Sequence, residues 1–185
     1  AEGAGDIATA LKDMDALAGV GGTPQLIAYH KALILDLAGR DAEAEAAYKL
    51  VLQQAGNGPR ATEAYGRFLE RHGRTDEAKA LYTKLQSDDS LQPITGAGLA
   101  RIAAGTKPDR LVNSPQEGAA EGLFSIAVSL NDATNADIAV LYLRFALYLQ
   151  PDFDLAKTVL ADRFEALEKF DDAIAVYRSI DKAAP

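Results

Sequence analysis

GRDAEAEAAYKLV, Gly39 to Val51, and GRTDEAKALYTKL, Gly73 to Leu85, begin 34 residues apart and match column by column. Glycine opens each segment. An alanine follows five places on (Ala44, Ala78), a tyrosine nine places on (Tyr48, Tyr82) and an aliphatic residue twelve places on (Val51, Leu85). Counted from Gly5, the same ladder holds Ala10, Met14 and Leu17. It returns from Thr134 and Glu168, again 34 apart, with Ala139, Leu143 and Pro151, then Ala173, Tyr177 and Pro185. A fixed period of this length marks an array of supersecondary units, none of which buries its apolar face alone.

Helix packing explains the columns. Apolar residues at helical spacing form a buried stripe, and a small residue where two helices cross lets their backbones come close. The segments before the markers also carry helical stripes: Leu26 to Leu37, Ala61 to Leu69, Gly122 to Leu130 and Leu155 to Phe164, with Ala32, Gly66, Ala127 and Ala161 as small residues. Each unit thus reads as a helix, a tight turn and a second helix. Ser114-Pro115-Gln116-Glu117 has the form of a capping box with proline in the first turn. Thr75-Asp76-Glu77 puts a hydroxyl cap and two carboxylates at a helix start.

These columns resemble the tetratricopeptide repeat superfamily over most of the chain. The match is tightest from Asp154 to Pro185, where Leu160, Ala161, Phe164, Ala173, Tyr177, Ile180 and Pro185 occupy motif positions. Lys31 departs from it, standing where the family usually has leucine. The resemblance implies an all-α solenoid of antiparallel helix pairs winding as a right-handed superhelix. A half repeat would cover 5–22, with repeats at 25–56 and 59–90 completing a region 1–92, and two further repeats at 120–185. Gly118 to Ile180, including GAAEGLFSIAVSL and LYLRFALYLQPDFDLA, also resembles large envelope-associated tetratricopeptide proteins of alphaproteobacteria. That likeness implies a bacterial periplasmic protein supporting the cell envelope, with the cytoplasm as the alternative compartment.

From Gly73 to Thr134 the ladder is 27 residues longer than one period. The surplus, 93–119, holds Gly96, Gly98, Gly105, Pro108 and Pro115 and reads as an irregular insertion or linker, with room for a short helix over Thr95 to Ala104. The chain opens in the turn before a second helix and ends at Pro185 without a polar capping helix, so it reads as a piece of a longer array.

Composition narrows the function. A formal net charge of -8 disfavours nucleic acid, which needs clustered Lys and Arg. No apolar run is long enough to span a bilayer. With no cysteine, disulfides and thiolate metal sites are excluded. His30 and His72 lie far apart in repeat register with no nucleophile beside either. Gly96-Ala97-Gly98 lacks the strand and third glycine of a dinucleotide loop and reads as a flexible turn. Asp88-Asp89 and Asp171-Asp172 lack the spacing of a calcium loop. No catalytic residue, metal or cofactor is expected, and the chain is not expected to be an enzyme.

The family resemblance places the first helices along a concave groove. In that register Leu26, Tyr29 and Leu33 face the groove first. Arg60, Arg67 and Arg71 follow with Glu63 and Glu70, then Glu121, Phe124 and Val128. The family's Lys, Asn and Arg clamp for chaperone tails is not matched, since Tyr29, Leu33, Glu63 and Arg67 stand in its positions. Three arginines against two glutamates predict a local positive patch for an acidic or carboxylate-bearing segment. The expected role is a scaffold binding a protein or peptide. Regulation or assembly of a larger enzyme, and homo-oligomerisation through uncapped ends, are the alternatives.

Overall fold

The computed structural model describes residues 5–20, 23–54, 58–85, 92–130 and 132–180, and no strand occurs among them. Ten α-helices follow in order: α1 (Ile7–Ala16), α2 (Pro24–Leu37), α3 (Asp41–Gln54), α4 (Pro59–Arg71), α5 (Thr75–Leu85), α6 (Gln92–Ala104), α7 (Pro115–Ser129), α8 (Ala136–Leu149), α9 (Asp154–Ala166) and α10 (Phe170–Tyr177). Short 3-10 turns cover Leu17–Val20 and Ala133–Asn135. The chain is all-α, as its periodicity predicts. It divides into two compact units, the first closing at Asn113 and the second opening at Ser114. Pro185, Asn131 and the Asp88-Asp89 pair lie outside the described residues.

In unit 1 the repeating glycines end helices. Gly39 and Gly73 take φ of 70° and 72°, the left-handed region that a side chain disfavours. The hydrogen bonds around them are the same in both turns. Gly39 N donates to Asp36 O at 3.0 Å and Arg40 N to Leu35 O at 2.9 Å; Gly73 N donates to Glu70 O at 3.1 Å and Arg74 N to Leu69 O at 2.9 Å. These bonds satisfy the last carbonyls of α2 and α4 and fold α3 and α5 back onto them. At the start of the second helices, Arg40 forks onto Glu43 and Arg74 onto Glu77. Thr75, read as a hydroxyl cap, is instead the first residue of α5. Ala10, Ala44 and Ala78 are buried, as the ladder requires.

The segment 93–119 differs from an irregular insertion. Gln92–Ala104 forms a full helix, α6, packed against α4 and α5. Gly96-Ala97-Gly98 lies inside that helix and is no turn. The physical reason is the Tyr82 ring, wholly buried between α4 and α6. A Cβ at either Gly66 or Gly98 would overlap it, so these glycines trade helix propensity for close approach. Gly105, at φ 66°, closes α6 as Gly39 and Gly73 close theirs. No second helix follows. Lys107 precedes Pro108, which disfavours helical backbone there, and the next helix already starts at Pro115. Thr106 to Asn113 forms an irregular strap belonging to unit 1, while 114–119 opens unit 2.

Unit 2 begins with the predicted cap: Ser114 Oγ accepts from Glu117 N at 3.1 Å, with Pro115 in the first turn. Such a cap contributes about 1 kcal/mol. Helix α8 packs on α7 and α9, and α10 on α9. Phe124 and Phe153 meet at 5.0 Å between ring centroids within a core of Ala120, Ala127, Leu143, Ala146, Leu160, Phe164 and Ala173. Ala139 is buried at its column too. Glu168 occupies the glycine column of the α9–α10 turn and takes φ 58°. Its bonds repeat the glycine pattern, Glu168 N to Glu165 O at 2.9 Å and Lys169 N to Phe164 O at 2.8 Å.

Candidate functional site

The first helices of unit 1, α2, α4 and α6, carry two polar knots in repeat register. Asp36 and Glu70 are 34 residues apart, as are Tyr48 and Tyr82. Tyr48 Oη donates to Asp36 Oδ2 at 3.1 Å, and Arg71 Nη2 reaches both carboxylate oxygens at 2.6 and 2.7 Å. One repeat later, Tyr82 Oη donates to Glu70 Oε1 at 2.7 Å, and Arg101 reaches Glu70 at 2.9 and 3.2 Å. Both carboxylates are buried. Each accepts from the tyrosine of its own helix pair and the arginine of the next first helix, so each knot ties three helices. Burial and then the Asp36 charge push the Tyr48 phenol well above its ordinary value. Burial and then the hydrogen bond to Glu70 raise Tyr82. These phenols stay protonated at neutral pH and serve as donors.

The residues expected to face a groove separate into distinct environments. Leu26 is half-buried, whereas Tyr29 and Leu33 are buried in the unit 1 core. Arg60 and Arg67 both pair with Glu63, at 2.8 and 2.7 Å, while Arg71 is committed to Asp36. The three arginines expected to form a positive patch are thus ion-paired, Arg71 with a carboxylate of the previous repeat, while Arg101 and Arg110 bring further positive charge to Glu70 and Asp36. Glu70, expected beside those arginines, turns to Arg101 of α6. In unit 2, Glu121 and Phe124 are buried and Val128 is exposed. Burial removes Tyr29, Leu33, Glu121 and Phe124 from any open contact surface.

Another surface was missed. On α8, Ile138, Leu141, Phe145 and Tyr148 are 48, 51, 52 and 82% exposed. Their spacing of three, four and three places them in one stripe along the helix. The same columns hold Glu43, Ala46, Leu50 and Gln53 in α3, and Glu77, Ala80 and Lys84 in α5. After Lys169 they hold Asp172, Ala175 and Ser179. All of these are exposed. The outer face that is polar or small in its counterparts, Leu50 apart, is fully apolar in α8. Column-by-column comparison within the sequence carries that signal without a structure.

No helix among the described residues is long and apolar enough to cross a membrane. None of the described His, Asp or Glu side chains form a group of three or more placed to share a metal ion. No protein-family model matches this chain, and no curated protein matches it.

Proposed function

We propose that this chain is a tetratricopeptide-like array of helix pairs acting as a non-enzymatic scaffold for a protein partner. The observation that carries the reading is the outer face of α8. Contiguous exposed apolar side chains are costly to leave in water and mark interaction surfaces, and aromatic residues such as Phe145 and Tyr148 supply most of the energy at such surfaces. Ile138, Leu141, Phe145 and Tyr148 suit the apolar face of a partner helix, read at the same spacing. The repeated turns, the buried alanine columns and the tyrosine knots support the helix-pair array. The resemblance over Gly118 to Ile180 makes the bacterial cell envelope the proposed setting.

Affinity capture from the cells that make the protein, with wild type beside Phe145→Ser/Tyr148→Ser, tests the reading. The wild type should retain a specific partner and the double variant should lose most of it, with helical circular dichroism unchanged. Equal capture by both would remove the α8 face from the account. Self-assembly is a second reading, favoured by Phe170, Ile174 and Tyr177, which are exposed on α10. Their columns in α8, Ala136, Val140 and Leu143, are buried. A mass that rises with concentration would support it.

A further inference from the structure

The strap from Thr106 to Asn113 is attached to unit 1 in the manner of a bound peptide. Arg110 Nε donates to the main-chain oxygen of Asp36 at 3.2 Å and to its Oδ1 at 3.3 Å, across 74 positions of sequence. Two residues on, Val112 is buried in the apolar cluster that contains Tyr29, Leu33 and Phe68, and Leu111 packs against that cluster. Asn113 Nδ2 donates to Arg110 O at 3.1 Å, bending the strap back on itself. An acidic contact beside an apolar socket is the combination that peptide-recognition surfaces use to set register and affinity.

The ionic half of this attachment is the weaker of two made by the same carboxylate. Arg71 forks onto Asp36 at 2.6 and 2.7 Å with 15% of its side chain exposed. Arg110 touches it at 3.3 Å with 37% exposed. A longer, more solvated pair is screened by water and salt and is the easier to exchange. Arg71 therefore holds Asp36 in place with its oxygens already ordered, and Arg110 occupies a position that another guanidinium can take.

We infer that the strap is a ligand bound in cis, and that the surface of α2 beneath it is a second binding site. The segment it accepts in trans has a basic residue followed by two aliphatic ones, as in Arg110-Leu111-Val112. While the strap is seated it competes at the high effective concentration of a tethered ligand, so the site is self-inhibited. This extends the scaffold reading to another surface and is tested apart from the α8 face.

The probe is a fluorescein-labelled peptide, Thr-Lys-Pro-Asp-Arg-Leu-Val-Asn, the sequence of residues 106–113, followed by fluorescence anisotropy. Arg110→Ala/Val112→Ala should bind it about tenfold or more tightly than wild type, because the cis competitor is weakened. Arg110→Ala alone keeps the Val112 packing and covers the case in which the double variant is unfolded; it should shift binding in the same direction by a smaller factor. A peptide with glutamate in place of its arginine should not bind either variant. If folded Arg110→Ala binds the peptide no better than wild type, or binds both peptides alike, the strap is structural and the inference is overturned. Loss of partner capture through Phe145 and Tyr148 would leave this result untouched, so the two failures are distinguishable.

Discussion

The two units use one repeat frame and hold it together by different means. In unit 1 the column nine places after Gly39 and Gly73 is tyrosine, and its buried hydroxyl needs a buried carboxylate and an arginine from the next first helix. In unit 2 the column holds Leu143, fully buried with no polar group to satisfy, and then Tyr177, exposed and bonded to Asp162 at 2.6 Å. That bond raises the Tyr177 phenol to about 12. Hydrogen-bonded networks fix partners by geometry, while apolar packing is tolerant of them. The difference extends to the surface. Unit 1 covers the outer columns of its second helices with polar and small side chains, Leu50 apart, and unit 2 leaves those of α8 apolar.

The largest expected effect lies in the knots. Glu70→Ala leaves the Tyr82 hydroxyl and the Arg101 guanidinium facing a buried vacancy and should destabilise unit 1 by about 3–5 kcal/mol. Urea unfolding followed by circular dichroism measures it. A loss below about 1 kcal/mol would mean that the knots are incidental to the fold. Gly98→Ala comes next, since its methyl would overlap a tyrosine ring clamped by two partners. A cost of about 1–3 kcal/mol is expected from overpacking, despite the gain in helix propensity, and a stabilised variant would contradict the tight α4–Tyr82–α6 slot. The smallest effect concerns the turn in unit 2. Glu168→Gly relieves a side chain held in left-handed backbone and should be neutral or stabilising by up to about 1 kcal/mol. Gly73→Glu, its mirror in unit 1, should be destabilising, and an unchanged melting temperature for that variant would break the equivalence of the two turns.

Much of the fold was legible because the turns and crossings repeat at a fixed spacing. Gly39, Gly73 and the alanine ladder constrain backbone and approach distance directly, so their side-chain chemistry states their role. Helix α6 was obscured because Gly96 and Gly98 look like loop residues in isolation. Gly98 is explained only by the ring of Tyr82, sixteen residues away in sequence. A clue was available: Pro93 follows Pro59 by 34 residues, and both lie in the first turn of their helices. The ion pairs of the arginine patch were not legible because Asp36, Arg101 and Arg110, which complete them, lie outside α4. The α8 stripe was readable throughout, but only by comparing columns between repeats, since on a single helix such a stripe looks like core.

The outer face of α8, apolar where its counterparts in unit 1 are polar or small, Leu50 apart, is the proposed binding face. It is tested most directly by giving α8 the outer columns of α5, Ile138→Glu, Leu141→Ala and Phe145→Lys, and measuring thermal unfolding and partner retention on one preparation. Exposed substitutions away from a core normally change stability by no more than about 0.5 kcal/mol each. A melting temperature close to wild type together with loss of the captured partner is expected. A collapse of the unfolding transition would show the stripe to be part of the protein's own packing. Full retention of the partner by the folded triple variant would show that recognition lies elsewhere, and either result would contradict the claim.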